Sequence, residues 1–208
     1  MAQDKFNRMI SEIFNEYYKP LGWKKQGSNY RRIDESGLGK IINFQKSRWN
    51  SDGKIDFFIN YGLYMEVGND LVNKSFKEYE CQFRNRTELH NGIYHLNEDT
   101  DYEKVKKEVR EALAEATYLF EKVDDKETFV SLILSGEMQK YTGTPVMHYY
   151  TCKLLSDMGY YEEIYEFVKS RGGQYFDSLS TEIELKLDTC VGDCIKGCDS
   201  QKKPACPN

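Results

Sequence analysis

The sequence predicts an α+β protein: an N-terminal helix, an antiparallel sheet of about four to five strands, and C-terminal helices packed on it. Three observations lead there. Ile55, Phe57, Ile59, Tyr61 and Leu63 alternate with Asp56, Asn60 and Gly62, the period-2 pattern of a strand with one face on a core. Short Gly-, Asn- and Asp-bearing turns separate the apolar runs of the first half, which favours an antiparallel meander over a parallel sheet. From Thr100 onward the apolar residues recur at helical spacing instead.

Taken in order, Asp4 is a candidate helix N-cap, and Phe6, Met9, Ile10, Ile13, Phe14 and Tyr17 follow as one apolar stripe. Pro20 and Gly22 stop that helix. Asn29–Asp34 forms a first strand, Glu35-Ser36-Gly37 a turn, and Lys40–Ser47 a second strand. Asn50–Gly53 turns the chain into the third, the alternating Ile55–Tyr64 run, whose second face carries Phe58 and Tyr64 and so is partly covered. A fourth strand is expected around Tyr79, Cys81 and Phe83, and Asn91-Gly92 signals a tight hairpin.

Thr100 with Glu103 makes a capping box for a long helix lined by Tyr102, Val105, Val109, Leu113, Ala116, Phe120 and Val123. A shorter helix holds Phe129, Leu132 and Ile133. Thr144-Pro145 reads as an N-cap with proline at the first helical position. Two helices, Val146–Met158 and Tyr160–Arg171, meet at Gly159 and close at Gly172-Gly173, and a last helix runs from about Leu179 towards Cys194. The expected division is a main α+β domain over 1–142 and a helical appendage with a cysteine-rich tail over 143–208, with one continuous domain as the alternative.

At 208 residues the chain can bury a sizeable core. Only 39% of it is hydrophobic, so its 16 Tyr and 11 Phe must supply much of the apolar bulk. The net charge of −5 argues against general affinity for nucleic acid or anionic membrane. Residues 1–56 nevertheless hold 11 Lys/Arg against 7 Asp/Glu, leaving 18 against 27 for the remainder. That basic excess reads as either a charge-guarded sheet edge or an anion-binding patch. No apolar run is long enough for a membrane span, and Asp4 and Glu12 break any signal-peptide pattern. A cytoplasmic location with mostly reduced cysteines is the expectation.

The nucleophile-elbow, zinc-protease, phosphate-loop and dinucleotide signatures are all missing from the sequence. The candidate site is therefore a set of amides, Asn43, Gln45 and Asn60, with Ser47, placed on neighbouring strands where they can share one face. Asn is depleted in strands, and amides need partners when buried. They either serve a ligand or partner, or tie the sheet to a covering element. Arg84 and Arg86 alternate onto one strand face and can clamp a carboxylate or phosphate, or pair internally with the acidic second half. No catalytic residue, cofactor or metal site is assigned. The only zinc candidates are Cys190, Cys194, Cys198 and Cys206, which read first as core and tail thiols and next as a disulfide or redox pair.

The stretch from Phe6 to about Ile133 resembles a bacterial family, domain of unknown function 4304. The matching pieces are the opening helix, Leu21-Gly22-Trp23-Lys24-Lys25, Tyr30-Arg31-Arg32, Phe44-Gln45-Lys46-Ser47, Phe58-Ile59-Asn60-Tyr61-Gly62-Leu63-Tyr64 and the Cys81–Leu89 segment with its two arginines. The resemblance implies a shared α+β fold and a bacterial source; the family's title assigns no activity, and the cysteine-rich tail lies outside it.

Three functional readings follow. The first is a non-enzymatic binding or immunity-type partner protein that uses a polar, Tyr-rich sheet face to meet another protein. The second is an enzyme on a small anionic ligand, with Arg84, Arg86 and Lys46 as the clamp and His90 or Glu88 as acid/base. An RNA-binding sheet is the third, opposed by the acidity beyond residue 56.

Overall fold

The computed structural model describes residues 1–51, 53–67 and 75–197, with 190–197 as helix backbone. Two compact units divide the chain, Met1–Val146 and Met147–Asn208.

In the first unit, helix α1 (Ala2–Ile13) buries the expected stripe of Phe6, Met9, Ile10 and Ile13. Asp4 lies in its first turn instead of capping it, because the helix already begins at Ala2. There the carboxylate meets the N-terminal ammonium at 3.5 Å and the positive end of the helix dipole. The helix continues as a π turn over Phe14–Tyr18 and a 3-10 turn over Lys19–Leu21. Gly22, at φ 80°, ends it in the left-handed region that glycine enters without strain.

Six strands follow: β1 (Lys24–Gln26), β2 (Asn29–Ile33), β3 (Gly39–Lys46), β4 (Lys54–Tyr64), β5 (Phe83–Arg86) and β6 (Tyr94–Asn97). All pairings are antiparallel, in the order β1-β2-β3-β4-β5, with β6 also on β4. The fold class is the expected one, with the short β1 as an addition. The hairpin expected at Asn91-Gly92 does not form. β5 pairs with residues 60–63 of β4 and β6 with residues 54–57, so the two run along one edge of the same long strand. His90, Asn91 and Gly92 all have positive φ; the Asn-Gly signal marks a left-handed backbone within the bulge that separates the two half-strands.

The helix-covered face of the sheet holds the aromatic core. Phe57 meets Phe6 edge-on at 5.1 Å and stacks on Tyr94 at 5.3 Å. Tyr30 packs on Phe44 at 5.0 Å, and its hydroxyl donates to the Ile10 carbonyl. Tyr18, Tyr30, Tyr61 and Tyr94 are all buried, which is how a chain poor in aliphatics builds a core.

Helix α2 (Tyr102–Lys122) packs on this face, with Phe120 5.5 Å from Trp23 and 6.2 Å from Tyr61. Its N-cap is Asp101, which accepts from the Lys104 amide at 3.1 Å. Thr100, the residue the spacing predicts for that role, donates its hydroxyl to Asn97. At the other end the buried Lys40 ammonium donates to the carbonyls of Phe120 and Asp124 at 2.9 and 3.4 Å, where the helix has carbonyls without intrahelical donors. Helix α3 (Lys126–Leu134), capped by Asp125, buries Phe129, Val130 and Ile133.

The second unit consists of α4 (Tyr149–Asp157), α5 (Tyr161–Arg171) and α6 (Gln174–Gly197). α4 is capped by His148, later than the Thr144-Pro145 start the sequence predicts. Cys152, Leu155, Ile164, Val168, Leu179 and Ile183 are buried here. Glu182 holds both Lys153, at 2.9 Å, and Lys186, at 2.8 Å. Among the described residues, no helix is long and apolar enough to cross a membrane.

Candidate functional site

Strand alternation sends Ile42, Phe44, Phe57 and Ile59 to the core and leaves Asn43, Gln45, Phe58 and Asn60 on the opposite face. The register then aligns Asn29 with Asn43, Asn43 with Asn60, and Asn60 with Arg86. Four strands thus contribute one polar row running straight across the sheet.

The row is joined side chain to side chain. Asn43 Nδ2 donates to Asn29 Oδ1 at 2.7 Å. Asn60 Nδ2 donates to Gln45 Oε1 at 2.8 Å and more weakly to Asn43 Oδ1 at 3.4 Å. Arg86 Nε donates to Asn60 Oδ1 at 2.8 Å, and its Nη2 reaches Gln45 Oε1 at 3.3 Å. The guanidinium also lies over the Phe58 ring, 4.1 Å from its centre. Asn60 is buried, which makes these partners obligatory; Gln45 and Arg86 are exposed.

The neighbouring row, Arg31-Ile41-Gly62-Arg84, is covered by the chain segment that leads into β5. Phe76 stacks on Tyr64 at 4.8 Å and packs with Ile41 and Cys81. Gly62 is required beneath it: a Cβ would come within 2.8 Å of the Phe83 carbonyl and 2.9 Å of Cys81 Sγ. Arg31 Nε donates to the Phe76 carbonyl at 2.6 Å. The covering segment stops short of the amide row. Between them opens a recess of about 750 Å³, whose charged lining is Arg31, Lys77, Arg84 and Arg86 against Glu78.

Burial pushes the Glu78 carboxyl above the usual range, while Arg84 and Arg86 pull it back; Arg84 Nε stands 3.9 Å away. Four cations facing one half-buried carboxylate, in a chain with net charge −5, make an environment for an anion. The pre-set guanidinium of Arg86 and the amides beside it suit a planar carboxylate or a phosphate.

Of the residues singled out from the sequence, Asn43, Gln45, Asn60, Arg84 and Arg86 therefore come together. Ser47 lies beyond the end of β3, where its hydroxyl accepts from the Trp49 amide at 3.2 Å in the turn. Lys46 is elsewhere as well: its ammonium donates to Gln3 and lies 5.8 Å from the Phe6 ring centre. His90 pairs with Glu111 at 3.6 Å, and the Glu88 amide is bound by Glu115, both at helix α2. Those three cannot join the arginines around one small ligand. The aromatic groups nearest the recess are Phe58 and Tyr79, since most of the sheet's tyrosines are in the core.

Asn29 and Glu78 escaped the sequence reading. Asn29 becomes visible only once the β2–β3 register is known, and Glu78 reaches the recess from a 3-10 turn. Among the described residues there is no cluster of His, Cys, Asp and Glu fit to hold a metal. The thiols of Cys190 and Cys194, and Cys198 and Cys206 altogether, lie outside the described residues.

No curated protein and no solved structure gives a match to the chain. A family model does, over residues 14–122, just over half of the chain; that span contains the whole sheet, helix α2 and every residue of the recess. The chain belongs to the family described as Domain of unknown function (DUF4304).

Proposed function

We propose that the first unit is a non-enzymatic binding domain, an immunity-type or regulatory partner acting in the bacterial cytoplasm, whose amide–arginine face takes an acidic segment of another protein. The observation that carries this reading is the fixation of Arg86. Two amides and the Phe58 ring hold its guanidinium in place at the mouth of a recess with a cationic surplus. Little side-chain freedom is left to lose when a carboxylate binds, so the contact is pre-organised. The groups presented, amides, guanidiniums and an ammonium, recognise anions well and do not move protons at neutral pH. The buried free thiols of Cys81 and Cys152 accord with a reducing compartment.

One observation favours an enzyme instead. Glu78, with its raised carboxyl, faces the same recess and is the group there suited to proton transfer on a small anion.

A labelled hexaglutamate peptide, titrated by fluorescence anisotropy, tests the leading reading. It should bind in a salt-dependent manner, while hexaglutamine should not. Arg84→Ala with Arg86→Ala should weaken it by roughly tenfold or more. Equal binding of the two peptides rejects an acidic partner. Failure to bind either, combined with saturable binding of a small phosphate or dicarboxylate that Glu78→Gln alters, moves the assignment to the enzyme.

A further inference from the structure

A second concavity opens on the opposite, helix-covered side of the first unit. It holds about 690 Å³, within the range of small-molecule sites, and Ile13, Tyr18, Trp23, Leu113 and Phe120 form most of its floor. Tyr17 and Tyr18 reach it from the π turn over Phe14–Tyr18. A π turn within a helix is a rare device and often marks a functional site. Here it allows Phe14 and Tyr18 both to pack on Tyr30, at 5.1 and 5.3 Å, while the half-buried Tyr17 faces the cleft.

The charges of the cleft are four cations, Arg32, Lys40, Lys107 and Arg110, against Glu111 and Glu121. Lys40 is already engaged with helix carbonyls, and Glu111 with Lys107 and His90. Arg110 lies over the Tyr17 ring at 4.6 Å and, among the described residues, has no carboxylate within ion-pair distance. Arg32 also lacks an ion pair among those residues, but it shares its other side with Asp34, Asp124 and Asp125. Arg110 is consequently the better anchor for an anion. From Arg110 to Phe120 along α2 is about 15 Å at the helical rise, so the apolar floor extends well past the cation.

We propose that this cleft binds an amphipathic organic anion, with its carboxylate on Arg110 and an elongated apolar body over Tyr18, Trp23 and Phe120. Geometry and charge together select that class. The floor offers few polar atoms, and the Tyr18 hydroxyl is already within 3.4 Å of Thr117 Oγ1, which leaves little purchase for a sugar or nucleotide. Arg110, the cation neither ion-paired among the described residues nor shared with the neighbouring aspartates, anchors one end of a chain rather than a compact polyanion. The site is separate from the amide–arginine recess, since the sheet stands between them.

Trp23 is buried in the floor and is a built-in reporter; the second tryptophan, Trp49, is 86% exposed and can be replaced. In full-length protein carrying Trp49→Phe, decanoate below its micellisation should shift Trp23 emission saturably, 1-decanol should do so more weakly, and decyltrimethylammonium least. Arg110→Gln should weaken decanoate by roughly tenfold and leave decanol unchanged. Ala114→Phe, at an exposed helix position on the wall, should abolish both responses without changing the far-ultraviolet circular dichroism. The proposal is overturned if decanoate leaves Trp23 unaffected, if the cationic detergent binds as well, or if folded Arg110→Gln or Ala114→Phe protein binds decanoate unchanged.

Discussion

Asn60 accepts the Nε–H of Arg86 from the adjacent strand at 2.8 Å, and that contact couples the buried member of the polar row to its exposed end. Asn60 is 4% exposed. Among the described residues its amide is satisfied by Gln45, Asn43 and Arg86 alone, so the row has a structural half and a presenting half.

The two halves should separate on mutation. Asn60→Ala leaves the Gln45 and Arg86 groups without their shared partner and opens a gap in the sheet face; it should cost on the order of 1–3 kcal/mol in urea unfolding. Gln45→Ala removes the better acceptor of the buried Asn60 amide, but water can reach that exposed position in its place, so it should cost less, about 1 kcal/mol or below. Equal losses for both variants would make the whole row a structural tie and remove the basis for a binding face.

Gly62→Ala tests the covering segment. The new methyl meets the Phe83 carbonyl and Cys81, neither of which is the free end of a flexible chain. Overpacking of this kind costs typically about 1–3 kcal/mol. Hydrogen exchange should show the loss of protection centred on β5 and the β4 residues facing it; a uniform loss across the sheet would mean that the segment is not held at Gly62.

The sheet was legible because its strongest signal is local: an apolar residue falls at every second position from Ile55 to Leu63, and the spacing of Asn43, Gln45 and Asn60 puts them on one side. What the sequence concealed was non-local. Three residues of Lys24–Gln26 show no period, so β1 went unseen, and Asn29 is defined as a site residue only by its partner across the sheet. Asn91-Gly92 reported its left-handed backbone faithfully, but a long β4 offered both flanking strands more pairing than a hairpin does. The start of α2 slipped by one residue because two capping side chains, Thr100 and Asp101, stand side by side and Asp101 takes the Lys104 amide. Charge alone groups Lys46 with the arginines, but its odd step from Gln45 sends it to the other face, where it meets Gln3.

A fragment of residues 1–146 should be soluble and should unfold in one cooperative transition. It must extend past Thr142. The Thr142 hydroxyl donates to the Arg84 carbonyl at 3.1 Å, beside the recess, and Val146 is buried with its amide on Gln139 Oε1 at 3.1 Å. Calorimetry of the purified fragment checks this, and aggregation or a broad, non-cooperative melt would show that α4–α6 complete the core of the first unit.

The acid stability of the first unit should depend on Glu12. Its carboxylate accepts from Lys106 at 2.7 Å, Arg8 at 2.6 Å and Tyr102 at 2.8 Å, tying α1 to α2. These bonds, Lys106 first, pull its pKa down to about 2. In the unfolded chain a glutamate titrates near about 4.3, so between these two values the unfolded state binds the extra proton and stability falls as pH falls. The contribution is complete above the unfolded value and gone once pH has dropped through the folded one. Glu12→Gln should therefore lower the melting temperature at pH 7, and its deficit should shrink steadily as pH is lowered from about 5 to 2. The side chain is partly solvated, so added salt should reduce the difference at pH 7 as well. If wild type and Glu12→Gln instead lose stability in parallel across that acid range, the three donors are not what holds the carboxylate ionised, and α1 is anchored to α2 by its apolar stripe alone.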